Sequence, residues 1–352
     1  LFISACFLPY FDHIFVARAR NSRVFFFRVL IVAISHTSDY VCVSPVDWRR
    51  ASYGEMTMNG TAHIASVAML VDFSVSQWTA RKIDKAASAD LTDEKRASGK
   101  LAHVSKKLVV SDILSEINNL VMQARLFHMR LTSPWFDNGA RILSVANHAA
   151  YMAGMEAYEA RFYPLVDRFV ATYPAMREDA SREYVALGKL FNHADYPQVT
   201  RISAKFSWRN RVMPIPTAAD FRVDIGQSAI ARVRAEIEAT VTERANAAVI
   251  DVFERVHDTV STMVEKLDAF QPNASGKDRG TFRDTLVSNV RDLLSILPGL
   301  NFTGDTRIDQ LVRDMTALTT YEAEDLRADD IARRNTIAAA KEIVSAVSDF
   351  MA

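Results

Sequence analysis

The chain has 352 residues, of which 49% are hydrophobic, and its 42 Lys and Arg balance its 42 Asp and Glu. That is apolar surface enough for a core, in one large domain or two ordinary ones. A formal net charge of zero excludes wholesale electrostatic attraction to DNA or to an anionic membrane and leaves open only a local basic patch. Both cysteines, Cys6 and Cys42, precede the first methionine, Met56. The cysteine-free remainder offers no thiolate metal site, thiol nucleophile or disulfide framework, and it suits a reducing cytoplasm.

Residues 1–57 read differently from the rest. Up to Glu55 they contain no Met and no Lys, and Phe25-Phe26-Phe27 stand in a row. The apolar run 24–34 is broken by Arg28 and is too short for the ~20 residues of a spanning helix. Ser35-His36-Thr37-Ser38 is a poor signal cleavage site, so no membrane association is expected. Gly54-Glu55 is encoded by a purine-rich stretch that can hold a ribosome-binding sequence a few bases before Met58. The segment therefore reads as translated from upstream of a true start at Met56 or Met58; a disordered arm is the alternative.

Beyond it, Val71, Phe73 and Val75 alternate with Asp72, Ser74 and Ser76, the period of a half-buried strand. Residues 79–97 are polar and predict a short helix and a loop. Ser111 is placed to cap a helix, with Asp112 in its first turn. Ile113, Ile117, Leu120, Ala124, Phe127 and Leu131 then form one apolar stripe, ended by Ser133-Pro134. Asp137-Asn138-Gly139 signals a turn, and residues 141–145 a short strand. A second long helix is predicted over 147–172, kinked or divided at Pro164 and closed by Tyr173-Pro174, with a third over 175–191. Alternation within 204–225 predicts two strands, the second over 221–225, pairing with the strand near Val71 in a small antiparallel sheet.

After Gly226 the chain predicts a helix to about Phe270. Ile230, Val241, Val252 and Met263 recur at an eleven-residue interval, as do Ala245, Val256 and Leu267, and likewise Ile237 and Ala248. Residues 282–297 predict a return helix broken by Pro298-Gly299, and Asp305 a cap for a helix over 308–318. Asp329-Asp330 starts a last helix, with Ile337, Ala340, Ile343 or Val344, and Val347 facing inward. The expected fold is mainly α, of the α+β kind: a long helical hairpin or bundle with a small antiparallel sheet. Residues 58–225 are expected to form an α+β domain and 226–352 a long-helix bundle. So long a helix needs the later helices, a second copy of itself, or both, to cover its stripe.

Motifs that carry chemistry are missing from the sequence. Ser275-Gly276-Lys277 is followed by Asp278 and lacks the upstream glycine of a phosphate loop. No dinucleotide fingerprint, zinc-protease helix or nucleophile elbow is found. His63, His103, His128, His148, His193 and His257 have no metal-ligand spacing, and Glu236, Glu238 and Glu243 read as solvated charges. No catalytic residue, cofactor or metal is expected. The candidate surface is Lys205, Trp208, Arg209 and Arg211, where arginines interleaved with an aromatic can hold a phosphate backbone and stack a base. Strand alternation offers the plainer account, with Phe206 and Trp208 on an inner face and Lys205, Arg209 and Arg211 on an outer one. Trp78, Arg81 and Lys82 form a second, weaker group.

Residues 70–82 (Leu-Val-Asp-Phe-Ser-Val-Ser-Gln-Trp-Thr-Ala-Arg-Lys), 220–224 (Asp-Phe-Arg-Val-Asp) and 297–305 (Leu-Pro-Gly-Leu-Asn-Phe-Thr-Gly-Asp) resemble a family of uncharacterised phage and conjugative-element proteins, known as domain of unknown function 3150. The resemblance spans most of residues 67–350 and transfers no catalytic residue. It implies a cytoplasmic protein of a bacterial host. Genes of that family often lie near those of MoxR-like ATPases and von Willebrand A-type proteins, which implies a protein partner. The expected function is a non-enzymatic assembly or adaptor protein working through its long helices. A nucleic-acid-binding accessory protein is the alternative.

Overall fold

The computed structural model describes residues 58–95, 103–136, 139–186, 191–223, 226–271 and 282–351. All of them fall within one compact unit, Ser52–Ala352. The expectations for residues 1–57 and for the loop at 275–278 lie outside the described residues.

The chain is mainly helical with a small antiparallel sheet. It opens with α1 (Met58–Val67), which runs directly into β1 (Ala68–Ser76). β2 (Arg81–Asp84), α2 (Lys85–Lys95) and β3 (Val104–Lys107) follow. β2 and β3 pair as a two-stranded ribbon that the sequence reading lacked. α3 (Asp112–Leu131) begins as expected, with the Ser111 side chain accepting from the Leu114 N–H. Next come β4 (Ser133–Pro134) and β5 (Arg141–Ser144). Gly139 holds φ 104° in the turn between them; Asp137 and Asn138 lie outside the described residues.

α4 (Val145–Ala186) corrects the sequence reading: Pro164 and Pro174 both lie inside one helix, which is neither divided at the first nor closed at the second. A proline in a helix frees the carbonyl four residues before it. Pro164, Pro174 and Ala160 are exposed, and Val170 is only half-buried, so the freed carbonyls at 160 and 170 are within reach of water. Meanwhile Phe162, Val166, Phe169 and Tyr173 are buried on the opposite side and hold the helix to the core.

A short helix, α5 (Val199–Ile202), precedes β6 (Ser207–Met213), which pairs with β1 along its whole length, from Leu70↔Met213 to Ser76↔Ser207. The four-stranded order is β4-β5-β1-β6, antiparallel throughout. The second strand expected over 221–225 does not form over its described part. Thr217 and Asp220 close a capping box on a short 3-10 turn, Ala218–Asp220, which carries the chain toward the next helix before residues 221–223.

α6 (Gln227–Asp268) is the long helix, entered through Gly226 at φ 87°. Val241, Val252 and Met263 are buried at the eleven-residue interval, as are Ala245, Val256 and Leu267. α7 (Thr285–Leu300) takes Pro298 into its last turn, one turn later than expected. α8 (Thr306–Ala317), capped by Asp305, leads to α9 (Ala323–Ala328) and α10 (Asp330–Met351). α10 is the element packed most extensively on α6. Arg333 stacks on Phe270, Lys341 pairs with Asp268 at 2.7 Å and Phe350 meets Phe253, so the two run antiparallel. The hairpin partner of α6 is thus the last helix more than α7.

The core crosses the division expected between residues 225 and 226. The core on the inner face of the sheet (Val71, Leu143, Trp208), shared with α3 and α4, also takes in Val252, Val256 and Met263 of α6. The outer face, through Ala68, Leu70 and Ile142, packs with Ile64, Trp135, Phe302 and Val241, Ala245 and Ala248 of α6. One helix therefore contributes to the core on either side of the sheet. Among the described residues no helix is long and apolar enough to cross a membrane.

Candidate functional site

β6 carries Trp208, Arg209 and Arg211, and Lys205 ends the 3-10 turn Ser203–Lys205 just before it; strand alternation separates the ring from the arginines. Phe206 and Trp208 turn inward: the Trp208 ring lies 4.8 Å from Phe73 and 5.4 Å from Phe162. Trp208 is thus a core residue with no face free for a base. Lys205, Arg209 and Arg211 are exposed. Arg209 stands opposite Ser74 and Arg211 opposite Asp72, so one carboxylate shares their face.

Of the weaker group, Trp78 and Lys82 are absorbed into structure, while Arg81 is exposed. Trp78 packs edge-on against Tyr173 and beside Phe169. Lys82 pairs with Asp195 at 2.7 Å, and the buried Lys106 reaches Asp84 at 2.7 Å and Asp195 at 2.8 Å. Burial works to lower the Lys106 pKa, but Asp195 and Asp84 together leave it raised. The Lys106 hydrogen bond holds Asp84 below the usual carboxylate range. Burial pushes Asp195 up, and its two lysines more than offset that. The cluster ties the β2–β3 ribbon to the short turn His193–Asp195.

Two polar arrangements escaped the sequence reading. The first is a buried chain from α3 through α4 to β6. His128 Nδ1 lies 2.8 Å from the Tyr151 hydroxyl, which donates to Asn210 Oδ1 at 2.9 Å. With its one proton so used, the hydroxyl oxygen accepts from Nδ1–H. Burial, helped by the nearby Arg141 charge, lowers the His128 pKa from 6.5 to about 4. Burial likewise pushes the Tyr151 hydroxyl well above its ordinary range. The second arrangement finishes α3. Arg255 donates to the carbonyls of Arg130 (3.0 Å) and Thr132 (2.6 Å), Arg141 also donates to Thr132 O (2.8 Å), and Asp251 braces Arg255 at 2.7 Å. These carbonyls have no partner within the helix, so the guanidinium groups take the place of a C-cap. No sequence signal links positions so far apart.

A third feature lies on the outside of α3. Met122, Leu126 and Met129 are 56%, 60% and 51% exposed. Their i, i+4, i+7 spacing sets them in one row, opposite the buried Leu114, Ile117, Leu120, Val121, Ala124 and Leu131. The row was legible as spacing but was masked by the stronger stripe behind it. Beside it, a groove of about 550 Å³ runs between α3 and α4, lined by Glu116, Asn119, Gln123, Arg161, Pro164 and Arg168. Among the described residues, no group of three or more His, Cys, Asp or Glu is placed to hold a metal ion.

No protein-family model, curated protein or solved structure matches the chain.

Proposed function

We propose that this chain is a non-enzymatic helical adaptor or assembly protein that holds a protein partner on the outer face of α3. The row Met122, Leu126, Met129 carries the reading. Three large apolar side chains on one exposed helix face, next to a groove, are what an amphipathic partner helix needs for its anchors. Methionine suits such a face because its unbranched thioether repacks to fit. The resemblance noted above points to a MoxR-like ATPase as the partner class, in a phage or mobile-element setting. Partly exposed Ile230, Val233 and Ile237, on the first turns of α6, offer self-association as a second use of the same chemistry. Nucleic-acid binding through β6 rests on the charges of Lys205, Arg209 and Arg211 alone, since the Trp208 ring is buried.

Changing Met122, Leu126 and Met129 together to Ser tests the reading. The melting temperature should stay close to that of the parent, as for most surface substitutions. Co-purification of the partner, assayed first with a MoxR-like ATPase, should be lost. A variant that keeps its partner would overturn the proposal.

A further inference from the structure

β6 is the last strand of its sheet. β1 pairs it over all seven residues, so among the described residues its other side has no strand against it. In an antiparallel pair, half of an edge strand's N–H and C=O groups point away from the neighbour and are free to bond another chain. The side chains on this edge are not neutral. Arg209 and Arg211 are exposed two residues apart on one face, Lys205 is exposed just before the strand, and Asp72 is the one acidic residue opposite. On the other face Val212 is 45% exposed beyond the buried Trp208.

We infer that the free edge of β6 is a docking site for an extended, acidic peptide, which adds to the sheet as a further strand. The backbone supplies the ladder, and the side chains choose the occupant. Residues two apart on a strand sit about 6.6 Å from each other, so carboxylates at alternate positions of the peptide meet Arg209 and Arg211 together. The position between them faces the half-buried Asn210, and the position beyond Arg211 faces Val212, which favours an apolar residue there. A second copy of β6 is excluded by the same charges, because pairing two basic edges sets like charges side by side. This site is separate from α3, and either can fail without the other.

Fluorescence anisotropy of the full chain with a labelled peptide of alternating Glu and Val decides it. The peptide should bind saturably. Arg209→Glu with Arg211→Glu, both at exposed positions, should weaken it by roughly tenfold or more. N-methylating alternate amides of the peptide along one edge should abolish binding while leaving its charge intact, and this arm needs no protein variant. The inference is overturned if the parent peptide does not bind, or if the charge reversals have no effect. It is equally overturned if the methylated peptide binds as well as the parent, which would leave attraction of charges without a strand. Binding of a labelled oligothymidine in place of the peptide would assign the edge to nucleic acid instead.

Discussion

His128 is a histidine held neutral by where it sits. Its ring is buried between α3 and α4, its Nδ1 is committed to Tyr151, and Arg141 adds a like charge nearby. In the unfolded chain the imidazole takes its proton near pH 6.5; in the folded chain it does so only near pH 4. Between those values the unfolded state binds more protons, so stability is highest above pH 6.5 and declines as pH falls toward 4. The gap corresponds to about 3 kcal/mol if the site stays dry. His128→Phe should flatten the difference in stability between pH 6.5 and 4, measured by urea unfolding at each pH. An unchanged pH slope would mean that the ring is open to water. The carboxylates of Asp84 and Asp195, both held low, act in a separate window below their ordinary 3.8.

Among the elements, α6 shows what periodicity resolves and what it does not. The eleven-residue stripe identified Val241, Val252 and Met263, and all three are buried. It also included Ile230, which is only half-buried, because no residue of 227–240 is fully covered by another element. A pattern records which side of a helix is apolar; how far along a partner extends depends on distant elements. The same limit applies to α4, where the local rule that proline interrupts a helix gave way to four large buried side chains. The strand expected over 221–225 alternates as a strand should, but Thr217 and Asp220 bond each other and turn the chain away first. Caps read best because they are local: Ser111 and Asp305 bond where the sequence placed them. Gly154 is legible only afterwards, since a methyl there would overlap the Phe127 ring of α3. Of the four candidate residues, alternation predicted the outward Lys205, Arg209 and Arg211 and the inward Trp208. The His128–Tyr151–Asn210 chain joins residues up to 82 positions apart (210 − 128) and left no local mark. The stripe itself is testable. Val252→Asp sets an unpaired carboxylate in the core and should cost several kcal/mol. Glu254 is exposed, so Glu254→Ala should stay within ~0.5 kcal/mol of the parent. Thermal melts at several protein concentrations compare the two, and equal melting temperatures would show the stripe misassigned.

At the scale of the whole molecule, α6 joins what the order of predicted elements divided at residue 226. Its middle belongs to the core on the outer face of the sheet, and its second half packs on α10 and α7 within the core shared with α3 and α4. Truncation between residues 225 and 226 would thus expose both faces of the sheet core. The polar clusters at Lys106 and Arg255 act within this frame: they fasten a ribbon and a helix end. The apolar row on α3 has no such internal task, and the proposed function stands on it. A photo-reactive phenylalanine placed at Leu126, in cells that make the protein naturally, reads that surface directly. Irradiation should give a discrete protein adduct at Leu126 and none when the same probe replaces the exposed Glu342 on α10. No adduct at Leu126, or the same adducts at both positions, would contradict a partner-binding face on α3.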